Sequence, residues 1–266
     1  MEREASEVAL AIEALYGARP LLTEGVIHVS AATRGPDGRL SVLKIGPRSP
    51  KSATDFFVLN LCRARCDAIL TTAANLRAEP DLAHGLQGSW AKRLEVYRRV
   101  VLKKPAPSTC AILTGSGDLP VAHPVWEDGT PKLVLTSESA APALRWVLGA
   151  RAEVVGVPRL DARTACTYLR DKRGLKLVSV EAGPSTARAL YEAPSVVDEL
   201  LLSTYLEPLR DEQIGYALPD DGVLLRGRTM VAEQTRKEES GKWRFQRWAR
   251  VDQMPSLAPP NPLRRK

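Results

Sequence analysis

The sequence predicts an α/β fold built on a mostly parallel sheet with helices on both faces. Short apolar, β-prone runs alternate with helical patterns along most of the 266 residues, as in strand–helix–strand units. Several runs end in turns of Thr, Ser, Gly and Ala, such as Thr114-Gly115-Ser116-Gly117. The end of the chain differs, because residues 228–236 and 243–251 flank a turn. They predict an antiparallel hairpin that closes the sheet edge.

Hydrophobic spacing and turn residues place the individual elements. Strands are predicted at residues 25–32, 40–45, 68–71, 109–113, 132–136, 152–157, 177–180 and 196–202. Helices are predicted at residues 3–16, 52–65, 92–104, 140–148 and 162–172, and in the Ala- and Leu-rich run after Pro184. The first helix is expected to dock on the main body, because one face carries Ala5, Val8, Ala9, Ile12 and Leu15.

Chain length and composition predict one main domain with additions at both ends. An apolar fraction of 44% can fill a large core, and no Gly/Ser linker divides the chain. We expect an N-terminal amphipathic helix in residues 1–20 and the main domain in residues 21–254. The Pro- and Arg-rich residues 255–266 are expected to be disordered.

The net charge of +7 fits either an anionic substrate or a nucleic acid. The most basic run, residues 92–104, has helical spacing that leaves Arg93, Arg98 and Arg99 off its apolar face. We interpret it as a solvated helix face, and a nucleic-acid partner is disfavoured because aromatic residues do not interleave with the charges.

The cysteines and histidines give no metal-binding pattern. Cys62 and Cys66 lack a second pair nearby, so they are expected in or near the core with Cys110 and Cys166. His28 lies in a predicted strand, where packing is the expected role. No secretory leader or membrane-spanning run is visible, which predicts a cytoplasmic protein.

The small polar turns suggest a ligand site. Parallel strands align their carboxyl ends along one crevice, and four predicted strands end at residues 71–74, 114–117, 136–137 and 182–186. These ends suit an extended phosphate-bearing ligand such as a dinucleotide. The alternative is that strand-to-helix turns favour these residue types anyway.

The junction Ala182-Gly183-Pro184-Ser185-Thr186 is the most informative of these turns. A helix N-terminus offers free N–H groups to an anion, Gly183 permits close approach of a ligand, and Ser185 and Thr186 add hydroxyl groups. An ordinary helix start is the alternative, since Pro184 suits the first helical turn.

Four segments resemble a known family, the reductase domain of bifunctional riboflavin-biosynthesis proteins. Val180-Glu181-Ala182-Gly183-Pro184-Ser185 is similar to the family's Val-Glu-Gly-Gly-Pro-Thr, and Val197-Asp198-Glu199-Leu200 matches its Val-Asp-Glu-Leu. Residues 67–79 resemble its Asp-Ala-Val-Leu-Val-Gly-Ala-Gly-Thr-Val-Arg-Ala-Asp, and residues 35–40 its Ser-Leu-Asp-Gly-Arg-Ile turn. The matches occur in the family's order.

The resemblance implies a dihydrofolate reductase-like fold and a cytoplasmic homodimer. Family members reduce the ribosyl group of a phosphorylated aminopyrimidine to ribityl with NADPH, and NADH stays open as the donor here. By resemblance, the substrate would be bound by Glu181, Arg77 and Asp37, with Lys51 as a point charge for its phosphate. The cofactor would be bound by Thr72, Ala74, Thr114, Ser116, Thr136, Ala182, Gly183, Pro184, Ser185 and Thr186. No residue is assigned a catalytic role.

The sequence also departs from the family pattern. Phe56 and Phe57 stand where many relatives carry arginines suited to a substrate phosphate, and Ala31 stands where they carry a lysine. Gly115 stands where an arginine suits the cofactor 2′-phosphate, and Thr72 and Ala182 replace family glycines. Two alternatives therefore stay open: a reductase of another small heterocycle, and a non-catalytic nucleotide-binding or scaffold descendant of the same fold.

Overall fold

The computed structural model describes residues 1–44, 46–81 and 83–250. Eleven strands form one sheet. They are β1 (Gly25–Arg34), β2 (Leu40–Leu43), β3 (Ala68–Thr72), β4 (Thr109–Thr114), β5 (Lys132–Ser137), β6 (Glu153–Val157), β7 (Leu177–Val180), β8 (Glu199–Tyr205), β9 (Ile214–Ala217), β10 (Arg228–Glu238) and β11 (Gly241–Arg250). The helices are α1 (Glu2–Tyr16), α2 (Ala53–Arg65), α3 (Ala73–Ala78), α4 (Ala91–Val100), α5 (Ala141–Leu148), α6 (Ala162–Thr167), α7 (Pro184–Tyr191) and α8 (Asp221–Leu224).

The sheet order is β10-β11-β8-β1-β7-β3-β4-β5-β6. Neighbouring strands from β8 to β6 are parallel, whereas β11 runs antiparallel to β8 and to β10. The short strands β2 and β9 extend from β1 outside this order. The predicted fold class, including the antiparallel hairpin at the edge, is confirmed.

Apolar clusters cover both faces of the sheet. One cluster joins α6 and α7 to side chains such as Leu70, Val178 and Leu200. On the other face, α1, α2 and α4 pack against residues that include Ile27 and Ile69, and a further cluster joins α3 and α5 to Ile112 and Val134. Successive side chains of a strand point to opposite faces of the sheet, and both faces are covered. The strands are therefore apolar along their whole length, as in other parallel sheets.

Several predicted element bounds differ from the structure. The predicted strand 40–45 ends at Leu43, and Ile45, Val251 and the predicted disordered tail lie outside the described residues. The predicted helix 162–172 divides into α6 and a wider π-helical turn, Tyr168–Lys172. The predicted strand 196–202 is shifted to β8, since Ser195 and Val197 are held in a local turn before it. Three short elements were not predicted from the sequence: β9 and α8, which have four residues each, and the six-residue α3.

Burial also corrects two expectations about helix faces. Ala9 is exposed, although the other predicted residues of its stripe are buried. Arg98 is 6% exposed, not solvated, and donates hydrogen bonds to the carbonyls of Ala64, Cys66 and Ala106. The four cysteines are buried and free. The packing role expected for His28 is confirmed, because its Nδ1 lies 2.6 Å from the buried Tyr191 hydroxyl.

Gly25 begins β1 where only glycine fits. Its φ is +113°, and a Cβ there would lie 2.4 Å from Asp198 Oδ2, which accepts a hydrogen bond from the Val26 N–H. We expect Gly25→Ala to lower the free energy of unfolding by about 1–3 kcal/mol through overpacking. Urea unfolding measures the loss. Gly222→Ala is the control, because a Cβ at Gly222 meets no atom within 4 Å, and equal stability of the two variants would contradict the prediction.

Candidate active site

The predicted cofactor residues lie along one edge of the sheet. Thr72 and Thr114 are the last residues of β3 and β4, Thr136 is paired with Thr114 across β4 and β5, and residues 181–183 follow β7. Since β7, β3, β4 and β5 are parallel neighbours, these strand ends form a continuous carboxyl edge. This geometry is the one that the small polar turns predict.

The hydroxyl groups along this edge differ in their partners. Thr72 Oγ1 caps α3 by accepting from the Asn75 N–H, and Ser116 Oγ accepts from the Asp118 N–H. The Thr136 side chain is fully buried, and its Oγ1 has no hydrogen-bond partner among the described residues. Ala74, Ser116 and Ser185 are exposed. Thr72 and Ser116 therefore have local structural roles, whereas Thr136 keeps unused hydrogen-bonding capacity.

The N-terminus of α7 is open in front of Gly183. Gly183 is the residue that precedes this helix, and a Cβ placed on it would meet no atom within 4 Å. The N–H groups of Thr186 and Ala187 both donate to its carbonyl, while Pro184 is buried. The Ala182 side chain packs against the apolar cluster under α6 and α7. The methyl group that replaces a family glycine therefore has a place in the core.

Glu181 forms a buried ion pair with Arg63 of α2. Arg63 Nε donates to Oε1 at 2.9 Å and Nη2 donates to Oε2 at 2.7 Å, and the two side chains are 2% and 10% exposed. Burial disfavours the arginine charge, but Glu181 outweighs that effect and raises the pKa of Arg63. Each carboxylate oxygen keeps a second lone pair for another donor. Arg63 was not among the residues predicted for the site.

Arg63 also holds the segment between α3 and α4. Its Nη1 donates to the carbonyls of Ala83 and Gly85, at 2.9 and 3.2 Å. Between them, His84 is 2% exposed, and neither ring nitrogen has a hydrogen-bond partner among the described residues. Burial lowers the pKa of His84 to about 4, so its imidazole is neutral. One guanidinium thus fixes both Glu181 and the backbone on each side of His84.

The other predicted substrate-binding residues do not lie close to Glu181 in the structure. Arg77 binds the Asp118 carbonyl and carboxylate at 2.5 and 3.2 Å. Asp37 accepts from the Arg39 N–H in the turn after β1. Val180 pairs with His28, and β1 continues to Arg34, so that turn lies roughly 20 Å further along at about 3.3 Å per residue. Lys51 is exposed, and its carbonyl accepts from Ser240 Oγ.

A separate cleft of about 390 Å³ lies beside β1, β8 and β11, and it is lined in part by Arg34, Thr204, Gln246 and Trp248. None of the predicted substrate or cofactor residues lines it.

Among the described residues there is no cluster of His, Cys, Asp or Glu that could hold a metal ion. That part of the chain also has no helix with the length and apolar character needed to cross a membrane.

Comparison with known proteins agrees with this architecture. The family model of the RibD C-terminal domain matches residues 33–206. The chain belongs to this family. The match begins in β1, ends just after β8 and includes the whole carboxyl edge described above. No curated protein matches the chain.

Solved structures related to this RibD-family chain share its fold at low identity. A pyrimidine reductase-like protein from Corynebacterium diphtheriae is 21% identical with a TM-score of 0.66, over 90% of this chain and 98% of that one. Riboflavin biosynthesis reductase Rib7 from Saccharomyces cerevisiae is 13% identical, with a TM-score of 0.55 over 92% and 100%. Acinetobacter baumannii RibD is 14% identical, with a TM-score of 0.61, over 85% of this chain and 58% of that one.

The RibD family suggests a nicotinamide cofactor, and one feature of the carboxyl edge fits one. The space in front of Gly183 leaves the start of α7 accessible, where a helix N-terminus favours a phosphate group. This open helix start is suited to a polar ligand. The Thr136 hydroxyl, two strands from β3 on the same edge, is fully buried and adds no accessible donor.

Proposed function

We propose that this RibD-family chain is an NADPH-dependent reductase, with NADH as the alternative donor. Its default substrate is the phosphorylated aminopyrimidine of riboflavin biosynthesis, whose ribosyl group would be reduced to ribityl. The observation that carries the proposal is the open backbone at Gly183, at the start of α7 on the continuous carboxyl edge. Cofactor chemistry at such an edge needs binding and orientation from the protein.

The proposed cofactor would supply the hydride, and this chain's own residues would position the reactants. Gly183, Ser185 and Thr186 would bind the pyrophosphate, with Ala182 and Pro184 shaping the turn. Thr72, Ala74, Thr114, Ser116 and Thr136 would line the groove. Glu181, oriented by two hydrogen bonds from Arg63, would accept an N–H from the substrate through its remaining lone pairs. Arg77, Asp37 and Lys51 stay predictions as substrate-binding residues.

We propose the domain organisation that the composition predicts and the assembly that the resemblance implies. Residues 21–254 would form the reductase domain, with α1 docked on it through the cluster that includes Val8 and Ile12. The protein would act as a cytoplasmic homodimer. Light scattering on the purified chain measures the assembly, and a monomer at micromolar concentration would contradict it.

Gly183→Val tests the cofactor site without a large expected effect on folding. A side chain here meets no protein atom within 4 Å, so we expect a loss of at most about 1 kcal/mol, from the poorer helix cap that valine makes. Because the valine would occupy the space in front of α7, NADPH affinity should fall roughly tenfold or more, which is about 1.4 kcal/mol. Fluorescence titration measures the affinity. Unchanged NADPH affinity in Gly183→Val, or no binding of NADPH or NADH to wild type, would contradict the proposal.

A reductase of another small heterocycle is the second candidate. It is favoured by Phe56, Phe57 and Ala31, which leave the expected phosphate-binding positions without positive charge. Complementation of a strain that lacks the riboflavin-pathway reductase separates the two candidates. Growth supports the default substrate, whereas failure despite soluble, NADPH-binding protein supports another heterocycle.

The third hypothesis is that the protein is a non-catalytic descendant of the fold, and charge reversal at Glu181 tests it. Glu181→Lys places a second cation beside Arg63, so it should abolish turnover in an enzyme, whereas it should leave partner binding unchanged in a scaffold. Substrate-dependent NADPH oxidation by wild type would itself exclude a scaffold role.

A further inference from the structure

The hairpin of β10 and β11 has one packed face and one exposed face. Ala232 and Phe245 lie on the packed face, in the apolar cluster that also contains α1. The opposite face, which we call the ribbon face, consists of residues paired across the two strands: Met230 with Trp248, Glu233 with Gln246, and Thr235 with Arg244. Such pairs share one side of a sheet. The three β10 residues of the ribbon face are exposed.

The ribbon face continues into the cleft of about 390 Å³ beside β1, β8 and β11. Three of its residues also line the cleft: Arg244, Gln246 and Trp248. Leu202 and Leu225 add apolar surface to the cleft, and Met230, which is 45% exposed, is paired with Trp248 at its border. A solvated face of an antiparallel sheet is usually polar. Trp and Met around an apolar depression are instead typical of the core of a protein interface.

Charged side chains of both signs surround this apolar centre. Arg244 and Glu233 are 42% and 38% exposed, and the 3.9 Å between their nearest N and O atoms is long for an ion pair. On the far wall of the cleft Arg34 pairs with Asp221 at 2.9 Å, and Glu207 also lines the cleft. A surface that associates with a second copy about a two-fold axis must be complementary to itself. Interleaved charges of both signs meet this requirement, whereas a strongly charged partner would need one sign.

We propose that the ribbon face and the adjoining cleft form the surface through which two copies of this chain associate about a two-fold axis. The inference rests on the proposed homodimer and names its interface. Met230 and Trp248 of each copy cover the cleft of the other, and Arg244 of each copy pairs with Glu233 of the other. Both faces of the hairpin are then packed, as both faces of the parallel strands are.

Replacement of Met230 tests this surface without disturbing the core. Met230→Lys brings two like charges together at the centre of the proposed interface. Sedimentation velocity should show a wild-type dimer at micromolar concentration, and the dimer Kd should rise roughly hundredfold in Met230→Lys. Trp146→Lys is the matched control, because Trp146 is 89% exposed on α5, which packs beside β6 at the other edge of the sheet. It should leave the dimer Kd unchanged.

An exchange of charges tests the pairing across the axis. Arg244→Glu and Glu233→Arg should each weaken self-association, because each variant places like charges opposite one another in both symmetric contacts. An equimolar mixture of the two variants should form heterodimers, since every contact between them joins opposite charges. Native mass spectrometry measures the heterodimer. A merely structural role of Arg244 or Glu233 within one chain would not restore association in the mixture.

The contrary results overturn the proposal. They are a monomeric wild type, an unchanged dimer Kd in Met230→Lys, dissociation by Trp146→Lys, unchanged self-association of the charge variants, and a mixture of them that stays monomeric. NADPH titration of the same samples separates this inference from the reductase function. If wild type binds NADPH but its dimer does not depend on Met230, only the interface fails. If the dimer depends on Met230 but neither NADPH nor NADH binds, the reductase function fails and the interface stands.

Discussion

Glu199→Ala is expected to lower the free energy of unfolding by about 3–5 kcal/mol, because it leaves two buried arginines without their counter-charge. Glu199 Oε1 accepts from Arg247 Nε and Oε2 accepts from Arg65 Nη2, both at 2.6 Å. The three side chains are no more than 2% exposed. The arginines also donate to the carbonyls of Arg19, Pro20 and Leu22, so the segment before β1 should loosen as well.

Urea unfolding followed by circular dichroism measures this loss. Glu13→Ala serves as the control, because Glu13 lies on the exposed side of α1 and should change stability by less than about 0.5 kcal/mol. A loss below about 1 kcal/mol for Glu199→Ala would contradict the expected cost of an unpaired buried charge.

The ion pairs of Glu199 with Arg65 and Arg247 make the stability of the fold depend on pH. Burial disfavours the Glu199 charge, but Arg65 and Arg247 outweigh burial and hold its pKa below the usual value. A carboxyl with a depressed folded-state pKa contributes stability above its unfolded pKa of about 4.3. That contribution is lost as the pH falls through the folded-state pKa. The stability difference between wild type and Glu199→Ala should therefore shrink in acid, and a difference that grows below pH 4 would have the wrong sign.

Arg63→Met is expected to have the second-largest effect. The substitution removes both donors to the buried Glu181 carboxylate and the bonds to the carbonyls of Ala83 and Gly85. Breaking a buried pair in this way costs about 3–5 kcal/mol. Hydrogen exchange should also increase in residues 83–90, since Arg63 anchors that segment.

A double-mutant cycle isolates the pair. In Arg63→Met/Glu181→Gln the buried negative charge is gone, so we expect the double variant to recover about 1–3 kcal/mol relative to the sum of the single losses. Strict additivity would show that Arg63 acts only through the 83–85 backbone. Chemical denaturation of all four proteins supplies the measurement.

Local sequence pattern was enough to place the carboxyl edge. The strand runs and their small polar turns are contiguous, and parallel pairing brings their ends together at Thr72, Thr114 and Gly183. The partner of Glu181 could not be found in this way, because Arg63 lies 118 residues earlier in a helix. Arg98 shows the same limit. Helical spacing assigned it to a solvated face, whereas backbone carbonyls outside its own helix bind it.

The resemblance to the family predicted the fold, but it did not predict the position of every candidate site residue. It assigned the fold, which the sheet order and the family match confirm. It did not show that Asp37 would be separated from Glu181 by the extension of β1 beyond β7.

The segment Val197-Asp198-Glu199-Leu200, which helped to identify the family, lies at the amino end of β8, opposite the carboxyl edge. Asp198 secures the start of β1 and Glu199 balances two buried arginines. Both acidic side chains of this segment are therefore committed to holding the fold together, at the end of the sheet away from the proposed cofactor site. A variant in this segment should act on activity through stability, whereas ligand specificity depends on the side chains at the opposite edge.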